Sequence, residues 1–178
     1  GWMSENLELK YDIYQPFGPS ILKTTLPRGF VNLLNAESDR ILHDEKLSKE
    51  HDWSHNLAGN VKKEVAIDQN KIPNFSQFLM TMAKQYYKHT IKAEPAEGSK
   101  VSFRTWVVSQ VAGDFNPMHV HDGDLSGVLY TRIPKSMDEE KLKEDHYPSI
   151  GDIVFSYGDA QHFSENKFQH SPKVGDIF

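Results

Sequence analysis

The chain has 178 residues, enough for one domain that buries roughly 70% of its unfolded surface. Twenty Lys and Arg against 25 Asp and Glu leave a net charge of −5, which argues against a nucleic-acid binder that works by phosphate neutralisation. The chain contains no cysteine, so disulfides, zinc–thiolate sites and thiol catalysis are excluded, and no apolar run approaches the ~20 residues of a membrane span.

The composition fits a soluble protein of the cytoplasm, and Gly1 and Trp2 ahead of Met3 read as a cloning remnant. The segment "LELKYDIYQPFGPSILKTTLP" alternates loosely and is broken at Pro16, Gly18 and Pro19, which predicts one or two early strands. Next, "RGFVNLLNAESDRILHDEKLSKEHDW" places Phe30, Leu33, Leu34, Ile41 and Leu42 at helical spacing. Two short helices are expected there, with Ser38 or Asp39 as the cap between them. Residues 61–67, "VKKEVAI", read as a strand. The strongest helix starts at Pro73 and Asn74, and Phe75, Phe78, Leu79, Met82 and Tyr86 give it an apolar face that belongs to a core.

After the turn-rich "EPAEGS" the character changes. "KVSFRTWVVSQVAG" is β-branched and aromatic, with Val101, Phe103, Thr105, Val107 and Ser109 on one side and Arg104, Trp106, Val108 and Gln110 on the other. Short strand-like runs follow in "MHVH", "LSGVLYTRI", "GDIVFSYG" and "VGDIF", interrupted by the charged insert "KSMDEEKLKEDHYP". Helices first and short strands after predict a single α+β domain, helical over 1–98 and a small antiparallel sandwich or barrel over 99–178.

Within that second part, "NPMHVHDGDLSGVLYTRIP" sets His119 and His121 one residue apart. On an extended segment side chains i and i+2 share a face about 7 Å apart, so both imidazoles can reach one ion. They can equally be two surface imidazoles, since the chain has 9 histidines. Pro117 stiffens the approach, and "DGD" at 122–124 supplies a turn rich in carboxylates. Two histidines and a carboxylate at the edge of a β-sandwich suit non-haem iron(II) with open coordination positions.

The run "GDFNPMHVHDGDLSGVLYTRIP", followed by "GDIVF" and "SPKVGDIF", resembles the 2-oxoglutarate and iron(II)-dependent oxygenase superfamily. More narrowly it is similar to an oxygenase family of marine phages and bacteria. The resemblance covers residues 101–178 well and the helical part loosely. It implies a double-stranded β-helix (a jelly-roll, cupin-like core) with the N-terminal helices packed on it. It also implies iron(II) and 2-oxoglutarate, admits ascorbate as a further cofactor, and points to hydroxylation with release of succinate and carbon dioxide. His119 takes the place of the first iron ligand. His121 stands where the superfamily has a carboxylate, which leaves three sets: His119 with His121, His119 with Asp122 or Asp124 instead, or His121 as first ligand with a nearby Asp; the first is favoured, with Asp124 as the reserve. Ser126, Tyr130 and Arg132, at even spacing on one face, are the candidates for holding the carboxylates of 2-oxoglutarate.

The same pattern expects a distal histidine and then an Arg or Lys after Phe178. Gly175 and Asp176 read as a turn, and Ile177 and Phe178 as the opening of a further strand. The chain is accordingly expected to be part of a longer protein or a truncated copy, with a half-made metal site. His162 and His170 are placed in loop-like surroundings, and His43, His51, His55, His89 and His146 on the surface. Trp106 and the loop over 157–168 are candidates for the entrance to the site. A small molecule or a protein side chain is the expected substrate, with no nucleic acid and no membrane partner; the sequence leaves the oligomeric state open. A non-catalytic jelly-roll binding module is the alternative to an enzyme.

Overall fold

A computed structural model describes residues 8–53, 63–110, 118, 121–135, 137 and 151–178. The elements in chain order are β1 (Asp12–Tyr14), β2 (Ile21–Thr25), α1 (Arg28–Leu42), α2 (Glu45–Glu50), β3 (Lys63–Ile67), α3 (Phe75–Ile91), β4 (Thr105–Ser109), β5 (Ile153–Ser156), β6 (Lys167–His170) and β7 (Asp176–Ile177). This is a mixture of helices and small antiparallel sheets, and no closed barrel forms among the described residues. Among these residues, too, no helix is long and apolar enough to cross a membrane.

Two compact units divide the chain. One contains Gly29–Ser126, and the other joins Lys10–Arg28 to Gly127–Phe178. The division does not follow chain order: the early strands β1 and β2 belong with the late ones, and β4 belongs with the helices.

In the first unit β3 and β4 pair antiparallel over five residues each, from Lys63 opposite Ser109 to Ile67 opposite Thr105. Alternation turns Val65 and Ile67 towards Ile41 of α1, and Leu42, Leu47 and Val107 close over that cluster. Ile41 is fully buried. The buried positions of α1 are Val31, Leu34, Ser38 and Ile41. The stripe read from the sequence was therefore displaced, because Leu33 is exposed and Val31 takes its place in the core.

The cap expected at Ser38 or Asp39 is also displaced. Ser38 is inside an unbroken helix, buried, and its hydroxyl donates back to the carbonyl of Leu34 at 2.7 Å. The break comes five residues later. There the Asp44 carboxylate accepts from the Leu47 N–H at 3.0 Å to open α2, and the Ser48 hydroxyl donates to the carbonyl of Ile41 at 2.7 Å to close α1.

Helix α3 begins where expected and buries Phe75 and Phe78, both in ring contact with Phe30 at 5.9 and 5.8 Å. Leu79, Met82 and Tyr86 are only half-buried. Asn74 precedes the helix in a left-handed conformation and makes no side-chain cap, so its part in the start is a backbone one. The strand expected over 100–113 is shorter, confined to β4 among the described residues, and Val101 is exposed.

In the second unit the sheet order is β1-β2-β7, all antiparallel, and β5 with β6 forms a separate hairpin. The two sheets meet across aromatic rings. Tyr14 lies 5.1 Å from Phe168 and 5.2 Å from His170, and Phe178 lies 5.8 Å from Phe155 and 5.5 Å from His170. His170, read as a loop residue, is thus on β6 with its imidazole inside this aromatic layer. Apolar "F" and polar "Q" alternation in "KFQH" was the signal for that strand. His162 is exposed at the hairpin tip, beside a fully exposed Phe163.

The position of the helix break is open to a direct check. Asp44→Ala should lower stability by ~1 kcal/mol through loss of the cap, whereas Ser38→Ala should change it by less than half as much, because the helix ladder at Leu34 survives. Urea unfolding of the two variants reads the difference. Equal losses would place the break wrongly.

Candidate functional site

The predicted site residues fall on both units. His119 lies outside the described residues, as does Pro117. His121, Asp122, Asp124 and Ser126 are exposed, and the chain bends at Gly123, whose φ is 95°, as the "DGD" motif predicts. The His121 ring lies 6.2 Å from that of Trp106 on β4, tilted by 38°, and Trp106 in turn stacks on Trp53 at 6.1 Å and 19°. Trp53 is a residue that sequence reasoning missed. It belongs to a three-residue stretch, "HDW", that adds to the edge of β3, too short to register as a strand.

In donor chemistry these groups fit iron(II): imidazole nitrogen and carboxylate oxygen, with no thiolate in the chain. Among the described residues, no three His, Asp or Glu side chains converge tightly enough to hold a metal ion. An open groove at the junction of α1 and α2, lined by His43, Glu45, Ser48, Lys49 and Asp52, contains none of the predicted residues.

Tyr130 and Arg132 belong to the second unit. The segment around them runs antiparallel to the end of the chain. The Val128 N–H donates to the carbonyl of Phe178 at 3.0 Å, and the Phe178 N–H donates to the carbonyl of Val128 at 2.9 Å. The Tyr130 N–H donates to the carbonyl of Asp176 at 3.0 Å, and the Gly175 N–H donates to the carbonyl of Tyr130 at 2.7 Å. The partner of the "LSGVLY" run is therefore β7, with Leu129 opposite Ile177.

Two glycines make this approach possible. A Cβ on Gly127 would stand 2.9 Å from the Phe178 carbonyl oxygen, closer than real contacts allow. Gly175 has φ 94° in the turn that delivers β7, so the turn falls at Val174 and Gly175, and Asp176 is already strand. The motif pair "LSG" and "VGDIF" is thus one packing arrangement read at two places in the sequence.

Arg132 is exposed and Tyr130 is half-buried. Burial pushes the Tyr130 phenol up to about 12, and the negative charge of Asp152 adds to that direction. Asp152 also accepts from the Gln169 side chain at 3.3 Å. At neutral pH Tyr130 is a neutral phenol with a proton to donate, as an anion-binding role requires.

Residues 104–178 match the family model described as "Putative 2OG-Fe(II) oxygenase". That match bears out the resemblance to the 2-oxoglutarate and iron(II)-dependent oxygenases, and it spans every residue predicted to bind the metal or 2-oxoglutarate. No curated protein and no solved structure matches the chain.

Two outcomes follow from this geometry. Because the folded Tyr130 holds its proton to about 12 while an unfolded tyrosine loses it near 10, the unfolded state sheds the proton first as pH rises. Stability is unaffected by this group below pH ~10 and declines between ~10 and 12, and Tyr130→Phe should remove that part of the decline. Absorbance titration at alkaline pH should likewise lose one late phenolate in the variant. A normal phenolate transition for Tyr130 would contradict the burial. Second, Gly127→Ala should cost ~1–3 kcal/mol in urea unfolding, as the added methyl drives 128–130 away from Phe178.

Proposed function

We propose that the chain carries an iron(II)- and 2-oxoglutarate-dependent oxygenase domain with a double-stranded β-helix core. The observation that carries this reading is the family match over 104–178, a segment that includes both histidines of the pair. The facing sheets of the second unit, with aromatic rings between them, suit such a core.

His119 and His121 would hold the metal, with Asp124 as the reserve carboxylate beyond the bend at Gly123. Ser126 and Tyr130 offer hydroxyl donors, and Arg132 a guanidinium, to the carboxylates of 2-oxoglutarate. Iron(II) with 2-oxoglutarate supplies the oxidation of an unactivated C–H bond, releasing succinate and carbon dioxide. The substrate is a small molecule or a protein side chain. A reducing cytoplasm, where the metal stays ferrous and ascorbate can support it, suits a chain without cysteine.

The test is succinate formation from 2-oxoglutarate in the presence of iron(II), with and without ascorbate. His119→Ala and His121→Ala should each reduce turnover at least ~100-fold if each ligand is needed to anchor the ion. Turnover equal in wild type and His119→Ala would end the oxygenase reading. Calorimetric binding of 2-oxoglutarate without any turnover would instead identify a jelly-roll binding module.

A further inference from the structure

The face of β3 and β4 turned away from the Ile41–Val65–Ile67 cluster carries an arrangement that the family reading does not use. With Val65, Ile67 and Val107 packed into the core, alternation assigns Glu64, Ala66 and Trp106 to the opposite face. Residues 51–53 extend that face by one more antiparallel segment. Asp52 bridges Val65, the Trp53 N–H donates to the carbonyl of Glu64 at 2.8 Å, and the Ala66 N–H donates to the carbonyl of His51 at 2.7 Å. Trp53 and Trp106 therefore stand on either side of β3.

Strands two places apart are separated by roughly 9–10 Å at the backbone. The two indole centroids are only 6.1 Å apart and nearly parallel, so the rings lean towards each other over β3. Trp106 lies directly opposite Ala66, whose methyl leaves the room for that lean. Glu64 beside it is 3% exposed. Trp106 also lies 6.2 Å from the His121 ring.

We infer that the stacked Trp53–Trp106 pair positions the His121 imidazole for metal binding. The inference rests on the reading of His121 as a ligand. An exposed imidazole on a bend loses rotamer freedom when it ligates an ion, and a ring already leaning on an indole loses less. Trp106 is thus a positioning residue, Trp53 fixes Trp106, and Ala66 is the gap that lets the two indoles meet.

Nickel(II) alone, titrated into the chain and followed by calorimetry and by tryptophan fluorescence, separates this inference from the reading beneath it. The wild-type emission should be quenched as nickel binds, since Trp106 adjoins His121. Trp106→Ala should weaken nickel binding ~10-fold or more, Trp53→Ala and Ala66→Leu should weaken it in the same direction, and Trp106→Phe, which keeps an aromatic face, should restore most of the affinity. Near-ultraviolet circular dichroism of each variant reads the fold alongside, and if Trp106→Ala unfolds, Ala66→Leu carries the comparison. Nickel affinity abolished by His121→Ala but unchanged by Trp106→Ala and Ala66→Leu would overturn the positioning role and leave the ligand reading standing. Affinity unchanged by His121→Ala itself would overturn the ligand reading and the inference with it.

Discussion

The second unit depends on the backbone pairing of residues 175–178. Their amides and carbonyls are used on both sides, towards Val128 and Tyr130 on one flank and towards β2 on the other, where Leu26 N–H also donates to the Gly175 carbonyl at 2.7 Å. Ile177 and Phe178 are buried between these neighbours, and so is Asp176, whose carboxylate accepts from Lys173 N–H at 2.8 Å and faces the Lys23 ammonium at 3.7 Å. A carboxylate this well enclosed is tolerable only with such partners. The turn that brings it there needs the positive φ of Gly175, and the neighbouring strand can lie close only because Gly127 has no side chain.

Where the sequence was legible, a short-range rule was at work. β2, β3 and α3 were read correctly because alternation, helical spacing and proline or glycine punctuation are local properties. The break between α1 and α2 was misplaced because Ser38 and Asp39 offer the same cap chemistry as Asp44. The decision is made by burial: only the Ser38 side of the helix faces the core. His170 reads as a loop residue in the sequence because polar neighbours mask a four-residue strand whose inward face is Phe168 and His170.

The candidate site was legible in kind and not in setting. The chemistry proposed for His119, His121 and Asp124 is written in one short motif, and that motif lies inside the segment that matches the family model. What sequence reasoning could not supply was the environment, namely Trp53 reaching Trp106 across β3 and Asp152 beside Tyr130. Both join residues far apart in sequence, which local patterning does not register.

The composition of the two units has a kinetic consequence. Gly29–Ser126 is continuous in sequence, so its strands and helices can all find one another as soon as that stretch has emerged from the ribosome. The other unit needs Lys10–Arg28 to meet Gly127–Phe178, and the loop to be closed is nearly the whole of the first unit. During synthesis β2 must therefore wait with the edge that β7 will occupy unpaired. A strand edge held open for so long is a template for pairing with another nascent chain. Lys23 on that strand, whose ammonium later faces Asp176, puts a charge on the edge during the interval, and a solvated lysine is one of the devices that keep such an edge from recruiting the wrong partner.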